Sequence, residues 1–97
     1  MPKAKLVLHT RYVDEQGALV EMKAYAVPRT PTTPHGFKYS LVYVRHGKRL
    51  IGYDNHEHQG DHRHACATTS PYTFSTIEQV IEDFLRDVAT IKKELGR

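Results

Sequence analysis

A chain of 97 residues is long enough for one sheet and a covering helix but too short for a second core, since a domain of this size buries roughly 60–65% of its unfolded surface. Its 39% apolar and 26% charged residues are those of a folded soluble domain, so residues 1–97 are expected to form a single unit. The formal net charge of +3 and a pI near 9.1 favour phosphate-bearing or acidic partners.

No run approaches the ~20 apolar residues of a membrane span. The opening MPKAK carries no hydrophobic leader, so the expected location is the cytoplasm and no membrane contact is expected. A lone Cys66 has no internal disulfide partner, which fits a reducing compartment; it is open to being a ligand, a nucleophile or filler.

Taken in order, Lys5 to Val13 sets Leu6, Leu8 and Tyr12 against Lys5, His9 and Arg11, the alternation of a half-buried strand. Asp14 to Gly17 reads as a turn in which glycine takes the left-handed position. From about Ala18 to Val27 a second strand puts Val20, Met22, Ala24 and Ala26 on one face and Glu21 and Lys23 on the other. Pro28, Pro31 and Pro34 recur at the three-residue repeat of polyproline, predicting a stiff, extended connector that leaves strand order open.

Phe37 to Arg45 is the most strand-like stretch. Phe37, Tyr39, Leu41 and Tyr43 share one face and Val42 and Val44 the other, which predicts a central strand covered on both sides. His46 and Gly47 make a tight turn, and Lys48 to Tyr53 returns as a fourth strand. The Thr/Ser/Pro stretch up to Tyr72 reads as loop. Ser75 with Glu78 forms a capping box that opens a helix at about 76–95, with an apolar stripe through Ile77, Val80, Ile81, Phe84, Leu85, Val88, Ile91 and Leu95 and Gly96 closing the end. The expected fold class is α+β: a four-stranded antiparallel sheet of two hairpins packed against one long C-terminal helix.

Chemistry concentrates in residues 53–66, YDNHEHQGDHRHAC, which hold four of the seven histidines. A hydrophobic core has no use for such a composition, and its place between a strand and a helix is where loop chemistry sits. Three readings compete. In a metal site, His56, His58, His62 and His64 bind zinc or another divalent ion with help from Asp54, Asp61 or Cys66. In metal-free RNA cleavage, needing no cofactor, His62 and His64 act as acid and base, Arg63 meets the phosphorane charge, and Asp61 or Asp54 orients an imidazole. Along an extended segment, however, Arg63 points away from both histidines, so a local bend has to bring it round unless Arg45 or Arg49 serves instead. Lys48 adds to the phosphate-binding set, and Tyr53 or Tyr72 would stack on a base or hold a phosphate. The plain alternative is a polar loop whose Asp54-Asn55 and Gly60-Asp61 steps make turns.

The strings PHGFKYSLVYV, GYDN and GDHRH, followed by an aromatic step into an amphipathic helix, resemble the TumE family of small bacterial toxins. That resemblance implies a growth inhibitor neutralised by a cognate antitoxin, often one with a helix-turn-helix DNA-binding domain. It matches Tyr53, Asp54 and Asn55 to the family's YDN and Gly60 to His64 to its GDHRH, leaving His56 to Gln59 as a variable middle. The expected function is a toxin acting as a metal-independent ribonuclease on RNA. The alternatives are a non-catalytic toxin, an operator-binding regulator acting with its antitoxin, or a zinc-binding histidine-loop protein. In the binding modes Lys3, Lys5, Arg11, Arg45, Lys48 and Arg49 set a salt-dependent affinity. Oligomeric state is not legible.

Overall fold

The computed structural model describes residues 4–31, 33–55 and 60–96. Six strands, β1 (Lys5–Val13), β2 (Leu19–Ala26), β3 (Phe37–Arg45), β4 (Lys48–Asp54), β5 (His62–Ala65) and β6 (Thr68–Pro71), precede one helix, α1 (Ile77–Leu95). They form a single antiparallel sheet in chain order, β1-β2-β3-β4-β5-β6. The α+β class with one C-terminal helix on an antiparallel sheet is as expected. The strand number is not: the sheet has six strands rather than four, because the second half of the histidine segment and the Thr/Ser/Pro stretch are strands. Cys66 turns between them at φ 55, and its N–H bonds the Leu50 carbonyl at 2.8 Å, holding the new hairpin to β4.

The other turns follow local chemistry. Gly17 sits at φ 84 between β1 and β2, and His46 and Gly47, at φ 52 and 74, give the paired positive-φ turn that matches strand twist. The proline segment does not run out as polyproline. Thr30 and Thr33 bridge as antiparallel partners, and the Val27 N–H bonds the Gly36 carbonyl at 2.9 Å, so the segment folds back as a hairpin loop and seats β3 beside β2. Register therefore places the second hairpin where the sequence left it free.

One face of the sheet carries the core: Val20, Met22 and Ala24 from β2, Tyr39, Leu41 and Tyr43 from β3, and Ile51 and Tyr53 from β4. The helix packs on β3 and β4 through Ile77, Val80, Phe84 and Val88. Its buried stripe is narrower than the apolar periodicity suggests, leaving Leu85 and Leu95 exposed. Among the described residues no helix covers the other face, so Val42 and Val44 are half-buried and the expectation of a two-sided β3 is corrected. At the free edge, a bulge between Leu6 and Leu8 breaks the alternation of β1: Leu8, Thr10 and Tyr12 pair with core-facing residues of β2, whereas Leu6 pairs with Tyr25 on the open face.

The helix begins one residue later than the expected capping box. Thr76, with extended backbone, accepts from the Gln79 N–H at 3.0 Å, and the Gln79 side chain donates forward to Asp83 rather than back to the cap. Thr76→Ala is expected to remove about 1 kcal/mol, lowering the melting temperature by roughly 4–8 °C, whereas Ser75→Ala should leave it nearly unchanged. Thermal unfolding followed by circular dichroism checks both. Gly96 ends the helix through an N–H bond to the Lys92 carbonyl, at an ordinary φ of −80.

A histidine–carboxylate centre on the open face of the sheet

Strand alternation distributes the motif residues to opposite sides of the sheet. In the β4–β5 ladder Asp54 lies opposite His62, Tyr53 opposite Arg63 and Gly52 opposite His64. Because neighbours along a strand point to opposite faces, Asp54, His62 and His64 share the open face and Tyr53 and Arg63 turn toward the helix. The hairpin is what makes this possible: a floppy loop would not hold two imidazoles two residues apart over one carboxylate.

Asp54 is the hub and is only 6% exposed. His62 Nε2 stands 2.6 Å from its Oδ1 and His64 Nε2 3.4 Å from its Oδ2, the two rings meeting edge to face with centroids 4.9 Å apart. The far nitrogens are anchored as well: His62 Nδ1 lies 3.0 Å from the Gly60 carbonyl and His64 Nδ1 3.0 Å from Thr69 Oγ1. Burial, with the charge of Arg49 adding to it, holds the His64 imidazole below its usual pKa despite the opposing pull of Asp54. Arg49 Nη1 comes within 3.9 Å of Asp54 Oδ2. It reaches there over Gly52, where a β-carbon would meet Arg49 Cδ at 3.0 Å and His64 Cδ2 at 3.4 Å. Among the described residues, Asp54, His62 and His64 are the group whose donor atoms converge closely enough, all within 4.8 Å, to hold a metal ion.

The remaining sequence candidates lie elsewhere. Arg63 donates to Asp87 at 2.7 Å and to the Tyr53 hydroxyl at 3.1 Å, and that hydroxyl donates to Asp87 at 2.5 Å. Tyr53 is 1% exposed, so its ring has no free face for a base. Tyr72 packs edge-on against Tyr53 and gives its hydroxyl to Asp83 at 2.5 Å. These groups tie β4, β5 and the segment after β6 to the helix. Asp61 also faces away from His62 and His64; it accepts from Tyr39 at 2.6 Å and pairs with His35 at 2.9 Å. Arg45 and Lys48 flank the β3–β4 turn, roughly 20 Å along the strand from Asp54. His56 and His58 fall outside the described residues.

Several neighbours of the centre went unread in the sequence. Ser40 lies between Lys23 and Asp54 in one cross-strand row, and Lys23, Tyr25, Lys38, Tyr39 and Ser40 line a cleft of about 300 Å³ beside it. Their signal, alternate polar residues on β2 and β3, looks like any wet strand face. His35 belongs to the second network: its ring stacks on Phe74 at 3.7 Å and its Nδ1 accepts the Phe37 N–H. Asn55 accepts the Tyr39 N–H and donates to the Phe37 carbonyl, extending the β3–β4 ladder by one side chain. The HGFKY, YDN and GDHRH strings thus meet at one end of the sheet.

The family described as Toxin TumE matches residues 2–92, nearly the whole chain. No curated protein and no solved structure matches.

Proposed function

The chain belongs to the TumE toxin family, and on that footing we propose that it arrests growth by cleaving RNA at the Asp54–His62–His64 centre. The family suggests a toxin–antitoxin module, so a cognate antitoxin is the partner that restrains it. The observation that supports cleavage is the convergence of two imidazoles on one buried carboxylate. They do so on a sheet face that no helix covers among the described residues, with Arg49 beside Asp54 and Lys23 across the Ser40 row. RNA brings its own nucleophile. The 2′-oxygen attacks phosphorus, the bond to the 5′-oxygen breaks, and a 2′,3′-cyclic phosphate and a 5′-hydroxyl result, the proton lost from the 2′-hydroxyl being balanced by one delivered to the leaving oxygen. The centre carries that proton traffic. Arg49 meets the phosphate charge, with Lys23 across the sheet from Asp54.

In this reading Arg49, rather than Arg63, serves as the cation. Each histidine ring already has both nitrogens engaged, so direct transfer by an imidazole requires one ring to turn away from Asp54. Antitoxin-free protein is expected to cut RNA to fragments with cyclic phosphate ends, and His62→Ala and His64→Ala to lose at least about 100-fold in rate with unchanged circular dichroism. Growth arrest by protein that leaves RNA intact would remove cleavage from the account. Gly52→Ala is a milder test: it crowds the Arg49 stem and is expected to lower cleavage by about 3–10-fold, a loss of roughly 1 kcal/mol in transition-state stabilisation. The folded structure should persist, because the crowded atoms belong to a flexible side chain.

A further inference from the structure

We infer that Asp54, His62 and His64 form a binding site for one divalent transition-metal ion of the zinc class. The inference deepens the RNA-cleaving reading of the same centre and rests on it for what the ion would do. Convergence carries it: one ligand atom from each of the three residues lies within 4.8 Å of the others. The Gly60 carbonyl can only accept, so His62 Nδ1 donates to it and Nε2 is the ring nitrogen turned to Asp54. It stands 2.6 Å from Asp54 Oδ1, so the two groups face the point that a cation would occupy. Asp54 Oδ1 is buried and has no hydrogen-bond partner among the described residues, so the close approach is not a well-directed N–H···O bond. A buried carboxylate oxygen left so is costly unless something else satisfies it.

The rest of the arrangement matches what a metal needs. His64 also turns Nε2 to Asp54 and fixes its Nδ1 on Thr69, so both rings are oriented from behind by oxygen atoms, the outer contacts that set the tautomer and angle of ligating histidines. Bonds of about 2.0–2.2 Å place the ligand atoms of one ion roughly 3.0–3.4 Å apart. His64 lies 3.4 Å from Asp54 Oδ2 and His62 2.6 Å from Oδ1, and the three ligand atoms spread to within 4.8 Å, so binding opens the His62 contact by roughly half an ångström and draws the widest pair together. Two imidazoles and a carboxylate suit zinc, cobalt or manganese better than magnesium, which prefers an all-oxygen shell. Three protein ligands on an uncovered face leave coordination positions for water or a phosphoryl oxygen. Bound there, the ion would polarise that oxygen as a Lewis acid.

The test uses untagged full-length protein stripped with a chelator and titrated with Zn2+ by calorimetry and with Co2+ by visible absorption. One ion per chain is expected, with affinity falling at least 100-fold in Asp54→Asn, His62→Ala and His64→Ala and about 10-fold in Thr69→Val. The exposed histidines His9 and His46 serve as controls, and their alanine variants should bind as the native chain does. No saturable binding, or binding undiminished in the three ligand variants with circular dichroism intact, overturns the site. RNA cleavage that continues unabated in chelator after such a failure would leave the RNA reading standing alone. Binding lost in the variants of a protein that never cuts RNA would support the ion while removing that reading.

Discussion

Asp54→Asn is expected to abolish toxicity and reduce RNA cleavage by 10²–10⁴-fold while leaving the fold at least as stable as the native chain. The two halves of that result have one cause. Asp54 is nine-tenths buried, one of its oxygens lacks a hydrogen-bond partner among the described residues, and its counter-charge Arg49 is 3.9 Å away. Holding an ionised carboxylate there costs free energy that a structural residue would not be asked to carry, and the isosteric amide removes the charge while keeping the shape. The same amide cannot act as an anionic ligand. Cleavage assays on purified protein, run beside urea unfolding, read both quantities. If Asp54 were instead a structural hub for Arg49 and the histidines, the amide would lower stability by several kcal/mol and activity would fall only with it. That outcome would sink the assignment of the centre as catalytic.

Much of this arrangement was open to reading in the sequence, and the parts that were not share a reason. Alternation alone puts His62 and His64 on one side and Arg63 on the other, because period two holds for any extended backbone, but it leaves Arg45 and Arg49 equal as substitute cations. Sequence does not reveal which acid they meet: choosing Asp54 over Asp61 requires the β4–β5 register, which depends on the path of the connecting residues. Strands β5 and β6 are four residues each and carry hardly an apolar side chain, so hydrophobic periodicity has nothing to detect. Their turn, at Cys66, contains no glycine. By contrast β2, β3 and the helix announce themselves through residues that the core buries. His35 lies outside the histidine-rich segment and so draws no notice, although the strings HGFKY and GDHRH meet in its bond to Asp61. Motif residues adjacent in sequence can thus serve three different neighbourhoods.

The helix side of the same motif should reveal itself in alkali. Burial first, and then the bond to Asp87 and its charge, push the Tyr53 phenol from 10.0 up to about 12. Tyr72, buried and bonded to Asp83, and Tyr39, buried and bonded to Asp61, are displaced upward as well. The folded state thus prefers the neutral phenol. Its contribution to stability is complete below pH 10, where the unfolded tyrosine is also neutral, and is lost progressively as pH rises from 10 to about 12. For Tyr53 that loss amounts to roughly 3 kcal/mol. Lysines deprotonate over the same range, so the difference between the native chain and Tyr53→Phe is the quantity to follow. At pH 8 the phenylalanine variant should be about 1–2 kcal/mol less stable, because Asp87 keeps Arg63 but loses the hydroxyl. By pH 12 that order should reverse, since the variant has no phenolate to form beside Asp87. Urea unfolding at pH 8, 10, 11 and 12 measures both. A native chain that keeps its advantage at pH 12 would mean that the Tyr53 hydroxyl reaches water, contrary to its burial under Phe84, Tyr72 and Arg63.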